Sequence, residues 1–438
     1  MKRKDFLRTS AGFIALAVVP GVWNISTPKP QKKQMKFLRI KDDKFLAPVL
    51  KVTPDDGLYN HTYFDVTPFS PSQRYMAVSK LPFQDHMPIQ GDHAEVIIID
   101  LEEETYLSLY KTTCWGFQTG TNVQWGATDE HVYCNDVING QAVAVRINIE
   151  TGETKAFVGP MYTIAPDESH VVSFPLELFD YTQLGYGCPP VKLGNYKQLP
   201  KGASKTEGIW KTDLRTNKKE LIVSLYDAAA VLPENPPTDD YTFYFWHSKY
   251  NKQGTRIYQV LRCIMNGNQK QRNPVNITFK PDGSEIFYTT PDYPVWGSGG
   301  GHPNWHPNGE YLIRHLDIGG TERFVMFKYD GSEFLILSDK IKATGHPSIE
   351  PSGRYIITDD EFKEGKNEFV FLRLIDLKAE KEEVVCTLPT VNWRDLGDDN
   401  VFRLDGHPAW SRDYKKVSLQ ASHEGKRQLF VVDLSKLL

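Results

Sequence analysis

Apolar and polar residues alternate in short stretches from Thr53 to the C-terminus, and no segment sustains the three-to-four-residue spacing of an amphipathic helix over a useful length. The stretches are introduced by a recurring phrase: an apolar or aromatic pair, then Pro with Asp, Ser or Asn, often Gly, then a charged residue. Examples are Pro68-Phe69-Ser70-Pro71-Ser72 before Tyr75-Met76-Ala77-Val78, Ile164-Ala165-Pro166-Asp167 before Val171-Val172-Ser173-Phe174, and Phe279-Lys280-Pro281-Asp282-Gly283 before Ile286-Phe287-Tyr288. Gln124-Trp125-Gly126-Ala127 before His131-Val132-Tyr133 and Tyr250-Asn251-Lys252-Gln253-Gly254 before Ile257-Tyr258-Gln259-Val260 have the same form. Pro and Asp set a type I turn, Gly supplies positive φ, and period-two alternation follows, so each phrase predicts a β-hairpin.

Further strands ending in polar turns follow at residues 96–101, 144–148, 208–213, 369–373 and 429–434. Units of roughly 40–60 residues with about four short strands each predict an all-β fold, a β-propeller. Dividing the chain by that period gives seven blades, with eight as the alternative count. Residues 177–206 are long and rich in Gly, Pro and Tyr and read as an insertion over one face. Residues 265–276 read as a second polar loop.

Three phrases begin with the same tripeptide: Gly301-His302-Pro303, Gly345-His346-Pro347 and Gly406-His407-Pro408. His247 occupies the corresponding place in another unit. A propeller's innermost strands line one axis, so histidines that precede them should meet at one mouth. A residue before proline is biased toward an extended backbone, which would fix the direction of each ring. Imidazoles on converging strands can ligate a divalent metal, with Asp405 and Asp359 as oxygen donors. Arg262, Arg314 and Arg403 lie near the same ends, and arginine forks bind carboxylate bidentately. On the long insertion, Phe179-Asp180-Tyr181 and Gly185-Tyr186-Gly187 offer a phenolic proton donor or a sugar platform. Trp115, Gln118, Gln124 and Trp125 read as a cleft wall.

Composition narrows the function classes. With 51 Lys and Arg against 55 Asp and Glu, the net charge of −4 provides no basic field for nucleic acid. There is no GxSxG elbow for a serine hydrolase and no carboxylate pair in the repeat register for a glycosidase. Residues 1–25 carry a basic start and a short apolar stretch, which predicts a cleaved export signal of twin-arginine-like or general secretory type. A polar linker over 26–36 and the propeller over 37–438 follow. Location in the periplasm or outside the cell is expected, with no stable membrane insertion after cleavage. The five cysteines show no zinc-type spacing and read as buried free thiols.

Together, QTGTNVQWG with VYCND, HSKYNKQGTRIYQVLR, the Gly-His-Pro strands and the closing RLDGHPAWSRDYKKVSLQASHEGKRQLFVVDL resemble propeller polysaccharide lyases, a group that includes oligogalacturonate, ulvan and rhamnose–glucuronate lyases. The resemblance implies β-elimination at a 4-linked uronic acid in an acidic glycan. It assigns His247 as base, Arg262 as carboxylate neutraliser and Tyr186 as acid; from the residues themselves, Arg403, Gln118 and Trp115 are expected on the substrate. It also implies a divalent metal (Mn, Ca or Zn) on His302, His346 and His407. The family's closing His-x-His reads Asp405-Gly406-His407 here, with a carboxylate in place of one imidazole. The competing reading is a TolB-like propeller that binds glycan or a protein partner without catalysis.

Overall fold

The computed structural model describes residues 31–178, 185–188, 201–232, 241–265, 268–272, 274–289, 301–396 and 400–438. These form seven antiparallel sheets, the blades of a seven-bladed β-propeller. In chain order the first blade comprises Leu58–Asn60, Tyr75–Leu81, Ala94–Asp100 and Thr105–Thr112. The second comprises Gln124–Trp125, His131–Ile138, Gln141–Asn148 and Thr154–Ala156. The third is Thr163–Ile164, His170–Ser173, Gly208–Asp213 and Lys219–Ser224, and the fourth is Tyr241–Tyr250, Ile257–Met265, Val275–Phe279 and Phe287–Tyr288. The fifth is Gly301–Trp305, Tyr311–Ile318, Thr321–Lys328 and Leu335–Ile336. The sixth is Ser348–Ile349, Tyr355–Glu364, Asn367–Asp376 and Lys381–Pro389.

The seventh blade closes the ring. Ala409–Trp410, Lys416–His423 and Lys426–Asp433 come from the C-terminus, and Val49–Lys51 pairs with Phe430, Val431 and Val432. Joining the two ends of the chain in one sheet leaves no open gap between the first and last blades. Lys33–Gln34 pairs with Thr105 and Tyr106 on the outer edge of the first blade. Part of the segment expected to be linker is therefore sheet. Asn268–Arg272 pairs with the strand Ile257–Met265, where a polar loop was expected.

Adjacent blades are joined by tryptophans at the ends of inner strands. Trp305 Nε1 donates to the carbonyl of Lys249 (2.9 Å), Trp410 to that of Ser348 (3.3 Å) and Trp125 to that of Pro68 (2.8 Å). Each ring is buried and also satisfies its one donor, so the same residue packs the interface and sets the blade spacing. The one described α-helix, Leu225–Ala230, has a Ser224–Asp227 capping box and is too short to alter the class. No helix among the described residues is long and apolar enough to cross a membrane. The segment expected as an export signal lies outside the described residues.

A candidate metal and proton-transfer site at the axis

The leading ends of the inner strands meet at one mouth of the ring. His302 and His346 have ring centroids 4.0 Å apart, and His346 and His407 are 4.4 Å apart. His247 joins them through Tyr63, which stacks on it at 4.7 Å and meets His407 edge-on at 4.4 Å. Phe64 lies 5.1 Å from His346. Tyr63 and Phe64, on the turn after the first blade's inner strand, thus form an aromatic septum beneath all four imidazoles. Repeat logic foresaw the convergence, while nothing in the repeat marked the septum.

The backbone solution differs from the extended one expected. His247, His302 and His407 have φ of 56°, 51° and 44°. Histidine is among the few residues that enter this left-handed region, and such strain persists where the surroundings over-determine it. Two of the three sit in β-bulges, His247 between Trp246 and Ser248 and His302 between Gly301 and Asn304. A bulge re-aims one side chain without ending the strand. At His346 the positive φ falls on Gly345 (69°), where a Cβ would lie 1.9 Å from the Asp359 carbonyl oxygen. Only glycine fits there.

Asp359 ties two of the loops together. One carboxylate oxygen accepts from His346 N (2.8 Å) and the other from His407 N (3.0 Å), while His346 Nδ1 lies 2.9 and 3.0 Å from the pair. Although burial works the other way, these donors hold the Asp359 carboxyl below its ordinary value. A carboxylate can only accept, so His346 Nδ1 carries a proton. His302 Nδ1 lies 2.9 Å from the Gly345 carbonyl, another pure acceptor, and burial keeps this ring neutral, so its Nε2 is bare. His407 Nδ1 meets the Gln420 amide at 2.8 Å, and its Nε2 lies 3.6 Å from Asp405. Burial keeps His247, His302 and His407 well below the usual imidazole value and therefore neutral at neutral pH.

His346, Asp405 and His407 can each present one ligand atom within 4.8 Å of the others. The donor set fits a divalent ion: burial keeps the His407 imidazole neutral, and Asp359 supplies the outer hydrogen bond that orients a ligating histidine at His346. Mixed nitrogen and oxygen donors suit Mn²⁺ or Zn²⁺, whereas Ca²⁺ prefers an all-oxygen shell. The expected trio was His302, His346 and His407; the group within ligand distance is His346, Asp405 and His407. His302 stands beside the group. Gln420, on the closing hairpin, was missed; its only sequence signal is a polar residue within the buried run Val417 to Ala421.

Arg403 and Tyr186 complete this mouth. Arg403 Nε donates to Asp405 (2.9 Å), and its terminal nitrogen donates to the Tyr186 hydroxyl (3.1 Å). Burial pushes the Tyr186 phenol up, against the pull of Arg403, so it stays protonated. A Cys114–Cys188 disulfide tethers the Tyr186 turn, correcting the expectation that every cysteine is a free thiol; Cys134, Cys263 and Cys386 are buried and free. Arg262 stacks 3.9 Å over the Trp246 ring, next to His247.

Two expected substrate contacts have other surroundings. The Gln118 amide donates to the carbonyls of Val401 and Arg403 (both 3.1 Å), a support for the Arg403 loop. Trp115 is wholly buried among Phe83, Phe117 and Phe402 and donates to the Asp92 carbonyl, so it is core. Phe179, Asp180 and Tyr181 lie outside the described residues. His247 Nδ1 bonds the Tyr162 hydroxyl, and its Nε2 is sealed from solvent with no hydrogen-bond partner. Below the septum, the opposite mouth opens into a cavity of about 360 Å³ lined by Asp65, Gln124, Tyr162, Lys249 and Asn304, none of them from the histidine cluster.

The chain aligns over 94% of its length with all of an oligogalacturonate lyase from Vibrio parahaemolyticus, at TM-score 0.65 and 13% identity. The fold is that of oligogalacturonate lyase. A second such enzyme, in complex with manganese, aligns over 94% of this chain and 99% of its own at TM-score 0.64 and 16% identity. TolB from Acinetobacter baumannii aligns at TM-score 0.39 and 12% identity over 82% of this chain and 80% of its own. No protein-family model matches the chain, and no curated protein matches it.

Proposed function

We propose that this chain is a lyase that cleaves an acidic, uronate-containing polysaccharide or oligosaccharide by β-elimination, and that it acts in the periplasm or outside the cell. The observation that carries the reading is the apposition of His302, whose Nε2 is bare, with a metal-competent His346–Asp405–His407 group. The oligogalacturonate-lyase fold is in keeping with it. Elimination begins with loss of the proton on C5, which is acidic only when the adjacent carboxylate is neutralised. A divalent ion held by His346, Asp405 and His407 would supply Lewis-acid stabilisation of that carboxylate. Arg403 and Arg262 provide guanidinium charge at the same mouth.

The proton passes from C5 to a neutral imidazole. Sequence resemblance pointed to His247, but the locked tautomer favours His302. The C5–H electron pair becomes the C4–C5 double bond, and the bond from C4 to the leaving oxygen breaks. The leaving oxygen takes its proton from the Tyr186 phenol. Arg403 occupies an acceptor position on that hydroxyl and leaves its O–H free to donate.

Pectic, ulvan-type and glucuronate-bearing polysaccharides are incubated with the protein while ultraviolet absorbance of the unsaturated uronate is followed. The reading expects product from at least one glycan, loss of activity with chelator, and loss of roughly a hundredfold or more in His302→Ala. Full activity of His302→Ala beside an inactive His247→Ala would return the base to His247. Absence of product from every uronate glycan would refute the lyase and favour a binding propeller.

A further inference from the structure

Two ionisable residues behind the site, His315 and Glu322, belong to no Gly-His-Pro phrase. Both lie in the fifth blade, on the strands Tyr311–Ile318 and Thr321–Lys328. His315 faces Gly301 on the inner strand, and Glu322 pairs with Asp317, two residues along from His315. Period-two alternation puts both side chains on the same face, within diagonal reach. His315 Nδ1 lies 3.0 Å from Glu322 Oε2, and His315 Nε2 lies 3.3 Å from His302 Nδ1.

We infer that Glu322 and His315 are positioning residues that hold His302 with its proton on Nδ1 and its lone pair on Nε2. Glu322 is a pure acceptor, so His315 Nδ1 carries a proton, and His315 Nε2, facing a His302 Nδ1 that donates to the Gly345 carbonyl, presents its lone pair there. That lone pair and the Gly345 carbonyl converge on His302 Nδ1, at 3.3 and 2.9 Å. Two acceptors facing one buried nitrogen require it to carry the proton, because a bare Nδ1 would set three lone pairs against one another. The hydrogen bond from His315 holds the Glu322 carboxyl below its ordinary value, so the acceptor at the head of the relay stays ionised. The relay runs from a carboxylate at the blade surface to the ring at the axis. Its catalytic consequence rests on the lyase reading; the tautomer does not.

Full-length protein labelled with ¹⁵N-histidine tests it, with the His302 signals assigned by their loss in His302→Gln. Wild type is expected to show a protonated Nδ1 and a bare Nε2 on His302, and His315→Phe to show a mixture of tautomers. On a cleaved glycan, kcat of His315→Phe should fall about ten- to a hundredfold with KM within about twofold. Glu322→Gln, at a more exposed position, should lose less in the same direction and serves if His315→Phe does not fold. A wild-type His302 protonated on Nε2, or wild-type kcat in a folded His315→Phe or Glu322→Gln, would overturn the relay. A wild type inactive on every uronate glycan would sink the lyase reading and leave the spectrum to decide the tautomer. An active wild type with inactive His302→Gln and fully active relay variants would do the reverse.

Discussion

Replacing Asp359 by asparagine tests the joint between the sixth and seventh blades. The carboxylate receives three buried donors, His346 N, His346 Nδ1 and His407 N, all within 3.0 Å. Asparagine retains one acceptor oxygen and puts an NH₂ in place of the other. If the oxygen faces His346, the His407 N–H meets a donor; the reverse amide turn strands the His346 N–H. One buried donor is orphaned either way, at about 1–3 kcal/mol, and the remaining bonds lose their charge assistance. Together these predict a loss of roughly 2–4 kcal/mol in urea unfolding of metal-free protein. His346 also loses the partner that orients it, so Mn²⁺ affinity measured by calorimetry should weaken by about ten- to a hundredfold. A variant with wild-type stability and wild-type Mn²⁺ affinity would refute the role given to Asp359.

Other consequences follow from buried groups elsewhere. Lys249 donates to the Pro303 carbonyl and pairs with Asp65 at 3.2 Å, both side chains nearly inaccessible, so Lys249→Met should destabilise by about 3–5 kcal/mol. Adding Asp65→Asn should recover most of that loss, as read from urea midpoints. The Cys114–Cys188 bridge closes a separation of 74 residues, so Cys188→Ser should lower unfolding free energy by up to about 4 kcal/mol and raise KM by loosening the Tyr186 turn. Asp376, paired with Arg354, is pulled down to about 2, below an unfolded value of about 3.9. Its contribution is therefore full above pH of about 4 and is lost as pH falls toward about 2, so the gap between wild type and Arg354→Ala should narrow over that range.

Much of the architecture was legible because each blade repeats its turn chemistry locally. Residues 208–213 were read as a strand and form Gly208–Asp213, and all but the last residue of the run read at 429–434 lies within the hairpin strand Lys426–Asp433. The site was legible in part for the same reason. His247, His302, His346 and His407 share a register, and equivalent registers in a closed ring face one axis. The buried surroundings of Trp115 were not legible because a tryptophan followed by glycine reads alike whether it lines a cleft or fills a core. Its neighbours Phe83 and Phe402 arrive from distant parts of the chain. Cys114 and Cys188 likewise carry no local signal of pairing.

The chain alone determined the strand periodicity, the turn positions, a repeat of seven or eight units and the recurrence of histidine at one place in the repeat. All of these depend on residues a few positions apart. Only the folded ring decided which nitrogen of His302 carries the proton, that Asp405 comes within ligand reach of His346 and His407, and that His315 and Glu322 back His302. Those outcomes depend on acceptors brought in from other strands and blades, such as Asp359 against His407 and Gly345 against His302. Hydrogen-bond chemistry acts over about 3 Å, and only closure of the propeller brings such distant residues within that reach.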